Sequence, residues 1–446
     1  LEGDLIGPAL YLIARGEEYA VRERDGHDRY QWACTTIRPP ELAVRPVVSE
    51  YAHLLLAAMK QACICAGLST VQKEFWPGGR PMAACLTHDV DVVKRGRLPR
   101  GVAVRDVAGV VSSAARGRLR AAGGQAASIV RTAARGQDPY WTFRQIAGLE
   151  RDHGYRSTYF FMAGRHHPED ATYDLSRPPV GRLAAELAGS GCEVALHGSY
   201  ASYMDPRSLR VQKERLERLL GAPVSGHRNH LLRFRVPDSW RAHEAAGFSY
   251  DSTLGFADRE GFRGGHAFPF RPFDLGDGRT LDLLEIPIAV MDMTLQKYRR
   301  LCPEDAERAT IAVLEQTRAV GGLANLLWHN TAFYDAEFPG LGDLYRRVLE
   351  WLSAENAHVA TCREIDEWWR ARAALRLSPL SADGGGWRME APLEVDRLVL
   401  RVWPSAPEAI PRVKGDIPVS LRREGPDHLL EFGRIPAGST VEIECS

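Results

Sequence analysis

The stretch MAACLTHDVD, residues 82–91, runs from five apolar residues into Thr87, His88, Asp89 and Asp91. An unbroken apolar run of this length reads as a strand buried on both faces, the mark of a parallel sheet covered by helices. Its end is unusual, because a buried strand that stops in a cluster of ionisable groups marks either an ordinary surface turn or a sheet rim where chemistry is done.

The same form recurs downstream. RSTYFFMAG, CEVALHGS, PVSGHRNH, FSYDST, DLLEIPIAV and LANLLWHN read as strands. Between and after them, YWTFRQIAGLERDHG, VGRLAAELAGSG, DPRSLRVQKERLERLLG, SWRAHEAAG, PEDAERATIAVLEQTRAVGG and LYRRVLEWLSAEN read as helices. This βαβα order over residues 81–372 predicts an α/β fold with a parallel sheet of about seven units, open or closed into a barrel. Residues 1–80 read as a small N-terminal α/β region: PALYLIARG as a strand, EYAHLLLAAMKQACICAGL as a helix, WPGGRP as a turn-rich linker. Residues 376–446 alternate with period two between Pro and Gly breaks, which predicts a small C-terminal antiparallel β domain.

Residues 94–137 form a basic helical insert. From Lys94 to Arg135 there are ten Lys or Arg and one acid, Asp106, and VAVRDVAGVVSSAARGRLRAA has helical apolar spacing. The insert is either a solvated excursion or a basic amphipathic surface, over residues 94–135, for peripheral contact with a membrane or an anionic carrier.

At 446 residues the chain holds more than one domain, or one large domain with appendages. Lys and Arg balance Asp and Glu, 57 against 57, so no global field favours nucleic acid as a partner. No apolar run has the length of a membrane span, and no leader is recognisable. The eight cysteines are scattered, with only Cys63 and Cys65 close, and Cys85 and Cys192 sit in apolar runs as small hydrophobes. Reduced thiols and a cytoplasmic chain are therefore expected.

The ionisable groups gather where strands end. Five strand ends carry His88, Asp89 and Asp91; His197; His227, Arg228 and His230; Asp251; and His329. In parallel α/β folds that rim is where sites assemble. Singly, each is read as a hydrogen-bonded histidine or a helix-capping aspartate. Jointly, an Asp with two His is a metal set with one position open for water, and a further Asp and His match a general base and a general acid.

Residues 81–372 resemble the polysaccharide deacetylase (NodB-homology) family, in a divergent branch whose first motif is H-D-V-D. That family folds as a distorted (β/α) barrel and removes acetyl groups from sugars with a divalent metal. The resemblance implies Asp89 as base and Asp91 as ligand. The second motif, H-[ST]-x-x-H, appears as HGSYA: His197 matches, but Ala201 stands at the second ligand position. In the third, RNHLLRF, Arg228 orients Asp89, and His230 is the replacement ligand. The fourth holds Asp251, counted with the catalytic set, while Leu254 and Gly255 replace its acidic and Trp positions. The fifth, LLWHN, carries His329 as general acid.

The implied activity is a metal-dependent carbohydrate deacetylase acting on a C–N bond, with Zn²⁺ the expected ion, Asp91, His197 and His230 its ligands, and an acetylated sugar or polysaccharide its substrate. Two rivals remain: a metal-dependent amidase on a non-sugar C–N bond, and a non-catalytic glycan-binding module. Tyr200, Tyr203, Trp328 and Phe333 lie near the motifs and favour a sugar. Asp258, Arg263 and Asp292 either line the cleft or make loop salt bridges. His88, one residue from Asp89, points to the opposite face and is expected to be structural.

Overall fold

The computed structural model describes residues 4–36, 40–95, 104–135, 138–381, 385–405 and 408–445. Ala83–Val90 is a strand buried along its whole length, and it stands inside a nine-stranded sheet. Across that sheet run Ile288–Met291, Leu323–Leu327, Ala83–Val90, Thr158–Met162, Glu193–Gly198, Gly226–Asn229, Tyr250–Asp251 and Leu284–Glu285, with His358–Val359 added beside the start of Ala83–Val90. Every pairing is parallel.

The strands at the two ends of this order, Leu284–Glu285 and Ile288–Met291, are separated in the chain by Ile286 and Pro287 alone. The sheet therefore curls until its ends come from consecutive residues, giving an α/β fold with the curvature of a distorted barrel. DLLEIPIAV, expected as one strand, is divided here because Pro287 has no amide hydrogen to continue a ladder.

Helices cover the strands as the alternation predicts. Pro206–Leu220 shows why they start and stop where they do. Asp205 accepts from the backbone N–H of Arg207 and Ser208, proline opens the first turn, and Gly221 takes φ 66° just past the end. Leu209, Gln212 and Leu216 form its buried side.

Register fixes the rim. Met162 lies opposite His197, His197 opposite Arg228, and His227 opposite Asp251. A one-residue slip would turn each of these side chains to the other face. Gly226 permits the fit, since a Cβ there would sit 2.0 Å from the Tyr250 hydroxyl oxygen, which donates to Glu193 at 2.7 Å. Gly226→Ala should destabilise the chain by about 1–3 kcal/mol through overpacking. Urea unfolding measures this, and an unchanged midpoint would show that Tyr250 has room to move aside.

The flanks depart from expectation. PALYLIARG is not a strand: Ile6–Ile13 is a helix, started by Asp4, whose Oδ1 accepts from the N–H of Ile6 and of Gly7 at 2.9 Å each. It is followed by the short helix Gly16–Ala20 and the long helix Val47–Cys65. Among the described residues up to 80, the one strand, Thr70–Lys73, belongs to the far end of the chain. It pairs antiparallel with Val399–Trp403, in a sheet completed by Asp427–Phe432 and Val419–Glu424. A second antiparallel sheet joins Arg376–Pro379, Gly386–Ala391, Ser439–Cys445 and Pro411–Lys414. In the insert, Val104–Ala115 and Leu119–Arg135 are helices; its residues 96–103 and 136–137 lie outside the described residues. The eight cysteines are free thiols, and among the described residues no helix is long and apolar enough to cross a membrane.

Candidate metal and acid–base site

Asp91 lies just beyond Ala83–Val90, His197 near the end of Glu193–Gly198, and His230 just after Gly226–Asn229. The Nε2 of His197 is 3.1 Å from Asp91 Oδ1 and 3.1 Å from His230 Nδ1. His230 Nδ1 is 3.3 Å from the same Asp91 oxygen. The other ring nitrogens are engaged: His197 Nδ1–H donates to the Arg228 carbonyl at 3.0 Å, and His230 Nε2–H to the Glu169 carbonyl at 2.8 Å. Those bonds fix each tautomer and turn a lone pair toward the cluster.

Asp91 Oδ1 is buried without a hydrogen-bond partner. Two imidazole lone pairs and a carboxylate oxygen crowded together repel one another unless positive charge sits among them. The three ligand atoms fall within the span of one ion, and a carboxylate with two imidazoles suits a divalent metal with an open position. Burial opposes ionisation of Asp91, but His230, His197 and His329, when they carry a proton toward it, outweigh burial and hold the carboxyl well below its ordinary range. His230 is delivered by a strained turn, in which Leu231 and Leu232 take φ 57° and 54°.

Asp89 and Arg228 stand beside this cluster. Arg228 donates to Asp89 Oδ1 at 2.8 Å, while Asp89 Oδ2 is 3.7 Å from His197 Nε2. The rest of the Arg228 guanidinium is satisfied by Thr87 Oγ1 at 3.0 Å and by the Ser252 carbonyl and hydroxyl at 2.8 Å each. Fully buried and over the Phe160 ring at 4.2 Å, it has no freedom to swing.

His329 also borders Asp91. Its Nε2 is 3.6 Å from Asp91 Oδ2. Its Nδ1–H donates to Asp292 Oδ1 at 2.7 Å, and its backbone N–H to Asp292 Oδ2 at 2.7 Å. Burial disfavours the imidazolium, but the Asp292 and Asp91 carboxylates prevail and hold the His329 pKa well above 6.5. Asp89, Asp91 and His329 line one cavity of about 180 Å³. The apolar wall missing at Leu254 and Gly255 is supplied by Leu231, Leu232, Met291 and Met293.

The chain's structural neighbours include CE4 polysaccharide deacetylases at low identity. A protein assigned as a polysaccharide deacetylase from Mycobacterium smegmatis aligns at 21% identity and TM-score 0.43, over 67% of this chain and 93% of its own. The CE4 domain of a multidomain xylanase from the hindgut metagenome of Trinervitermes trinervoides aligns at 9% identity and TM-score 0.32, over 64% and 90%. A CE4 family pseudoenzyme from Bacillus anthracis aligns at 12% identity and TM-score 0.30, over 65% and 66%. Residues 1–64 match a family of unknown function, DUF7033. No curated protein matches the chain.

Asp251, expected among the catalytic groups, is not brought to them. Its Oδ1 accepts from His227 Nδ1–H at 2.8 Å and from Thr253 Oγ1 at 2.9 Å, and lies 3.3 Å from His243 Nδ1. Neighbours on a strand face opposite ways, so Ser252, not Asp251, reaches Arg228. His227, His243 and Asp251 form a second cluster of potential ligands, wholly enclosed. Burial pushes both imidazole pKa values down, that of His243 to about 3.

His88 faces away from the site. Its ring nitrogens meet the Trp328 carbonyl and Glu150 Oε1, each at 2.7 Å. His88→Leu should cost about 1–3 kcal/mol by stranding buried acceptors, with metal content unchanged. Calorimetry paired with elemental analysis checks both, and loss of metal would place His88 in the site after all.

The aromatic groups expected to stack on a sugar are mostly committed elsewhere. Trp328 is fully buried, Phe333 is buried, and Tyr203 donates to Asp28 at 2.6 Å; Tyr200 is half-buried against His167 at 4.1 Å. Asp258 accepts from the Trp32 N–H at 3.2 Å, and Arg263 pairs with buried Glu18 at 2.7 Å. Sequence reasoning missed Arg29, Lys297 and Tyr298, which line the same cavity. Arg29 donates to the Tyr298 hydroxyl at 2.9 Å and pairs with Asp25 at 2.7 Å; no motif surrounds it.

Proposed function

We propose that the chain is a metal-dependent hydrolase that removes an N-acetyl group from a sugar in a polysaccharide or its precursor, with Zn²⁺ held by Asp91, His197 and His230. The observation that carries this reading is the convergence of those three ligand atoms between an Arg-held carboxylate and an Asp-held imidazole, with Asp89, Asp91 and His329 lining one cavity. A bound divalent ion supplies a water of lowered pKa and polarises the acetyl carbonyl.

The chain's own groups do the rest. Asp89, held and oriented by Arg228 at 2.8 Å, accepts the proton of the water that attacks the acetyl carbon. His329, fixed by Asp292, donates its Nε2 proton to the amine nitrogen as the C–N bond breaks, leaving acetate and a free amino sugar. The wall of Leu231, Leu232, Met291 and Met293 suits a methyl group.

Elemental analysis together with acetate release from N-acetylglucosamine oligomers tests the reading. About one divalent ion per chain with acetate release supports it. A metal-loaded chain that cleaves only non-sugar N-acyl compounds would make it an amidase. A metal-free chain that binds glycan without releasing acetate would make it a binding module.

A further inference from the structure

The insert takes no part in that chemistry, yet it is fastened beside it. Arg95, four residues after Asp91, pairs with Asp106 and with Glu337 at 2.9 Å and lies 5.0 Å from the Tyr334 ring centre. Tyr334 in turn donates to Asp106 at 2.9 Å. The insert's one acid is thus engaged in its own anchor.

Beyond the anchor, the helices leave several aliphatic side chains in water, although the apolar side of a surface helix ordinarily faces the core. In Leu119–Arg135 the side against the protein carries Ala122, Gln125 and Ser128, all buried, with Gln125 donating to the Ala336 carbonyl at 3.4 Å, and Ile129, partly buried against Tyr140, Tyr334 and Ala336. A neighbouring face carries Leu119, Ala126 and Val130, whose spacing puts them together. Leu119 is 72% exposed and Val130 66%. In Val104–Ala115, Val107 and Val111 are one turn apart and 52% and 62% exposed. Between the helices the turn carries Arg116 and Arg118, both exposed.

We propose that this helical hairpin docks on an anionic membrane surface, with the Leu119, Val130, Val107 and Val111 stripe at the headgroup–acyl boundary and Arg116 and Arg118 on lipid phosphates. Water-facing aliphatic side chains joined to cationic ones are the features of helices that lie in a bilayer interface. The excess of ten Lys or Arg over one acid between residues 94 and 135 matches the negative potential of an acidic leaflet. Other partners fit less well. The exposed stripe holds only small aliphatic groups and lacks the aromatic anchors of a protein hot spot, while nucleic acid would match the charge and leave the stripe in water. Docking requires neither bound metal nor turnover, so it stands or falls apart from the proposed function.

The test is flotation of the full chain with vesicles of phosphatidylcholine alone or mixed with phosphatidylglycerol. The chain should float with the mixed vesicles only. Two variants should each lower the bound fraction by about tenfold or more: Arg116→Glu with Arg118→Glu, and Val111→Asp with Leu119→Asp and Val130→Asp. The charge-reversal pair lies in an exposed turn and leaves the core untouched, so it decides the matter if the triple variant fails to melt cooperatively. The proposal is overturned if mixed vesicles do not bind, if neutral vesicles bind equally, if the charge-reversal variant floats like the parent, or if double-stranded DNA is bound and vesicles are not.

Discussion

Replacing Asp89 by Asn should leave a folded, metal-loaded chain that releases acetate about 10²–10⁴-fold more slowly. The substitution keeps shape and lets the side-chain oxygen still accept from Arg228, which sits 2.8 Å from Asp89 Oδ1. It removes only the ability to take a proton. His329→Ala should cost a similar factor by removing the proton donor. In it Asp292 loses the ring partner at 2.7 Å but keeps the backbone N–H at 2.7 Å, so folding should survive. Both losses should fall on kcat rather than KM, because the groups act on protons in flight and hold no ground-state substrate. Asp292→Asn should lower kcat less than His329→Ala and shift the pH profile, since the imidazole remains but loses the neighbour that favours its charged form. Near-parental kcat in either Asp89→Asn or His329→Ala would remove that residue from the mechanism.

The parts of this site that were legible in the sequence follow from local rules. Asp89 and Asp91 share a face because side chains alternate along a strand, and the same rule sends His88 to Glu150 instead. That His230 would lie beside Asp91 and His197 could be expected, because it follows Arg228 closely at the end of the neighbouring strand. Asp251 shows where such reasoning stops. Tyr250–Asp251 is a two-residue strand, too short for an apolar pattern to set its phase, and Ser252 proves to be the residue that faces Arg228.

Partnerships across long separations were not legible at all. Arg29 and Tyr298 are 269 residues apart, and Thr70–Lys73 finds its strand partner at Val399–Trp403. PALYLIARG failed for a different reason. A short apolar run is compatible with either period, and the deciding residue, Asp4, lies outside it. The exposure of Leu119, Val130, Val107 and Val111 in the insert was likewise hidden, because helical spacing shows that a helix has two sides without showing which one meets the protein.

His230→Ala should reduce bound metal from about one ion per chain to a small fraction of that, and His197→Ala should do the same. Both imidazoles have their second nitrogen tied to a backbone carbonyl, so neither ring can turn to compensate for the other. Because an ion bound only to the folded chain stabilises it by about 2.7 kcal/mol at a concentration 100 times its Kd, chelation should lower the melting midpoint of the parent and leave that of His230→Ala unmoved. His243→Ala provides the contrast. Its cluster already has His227 donating to Asp251 at 2.8 Å and is fully enclosed, so a proton rather than a metal joins two of its members, and this variant should keep the parental metal content. If His243→Ala lost the ion while His230→Ala retained it, the metal would belong to the enclosed cluster, and Asp89 and His329 would no longer flank it.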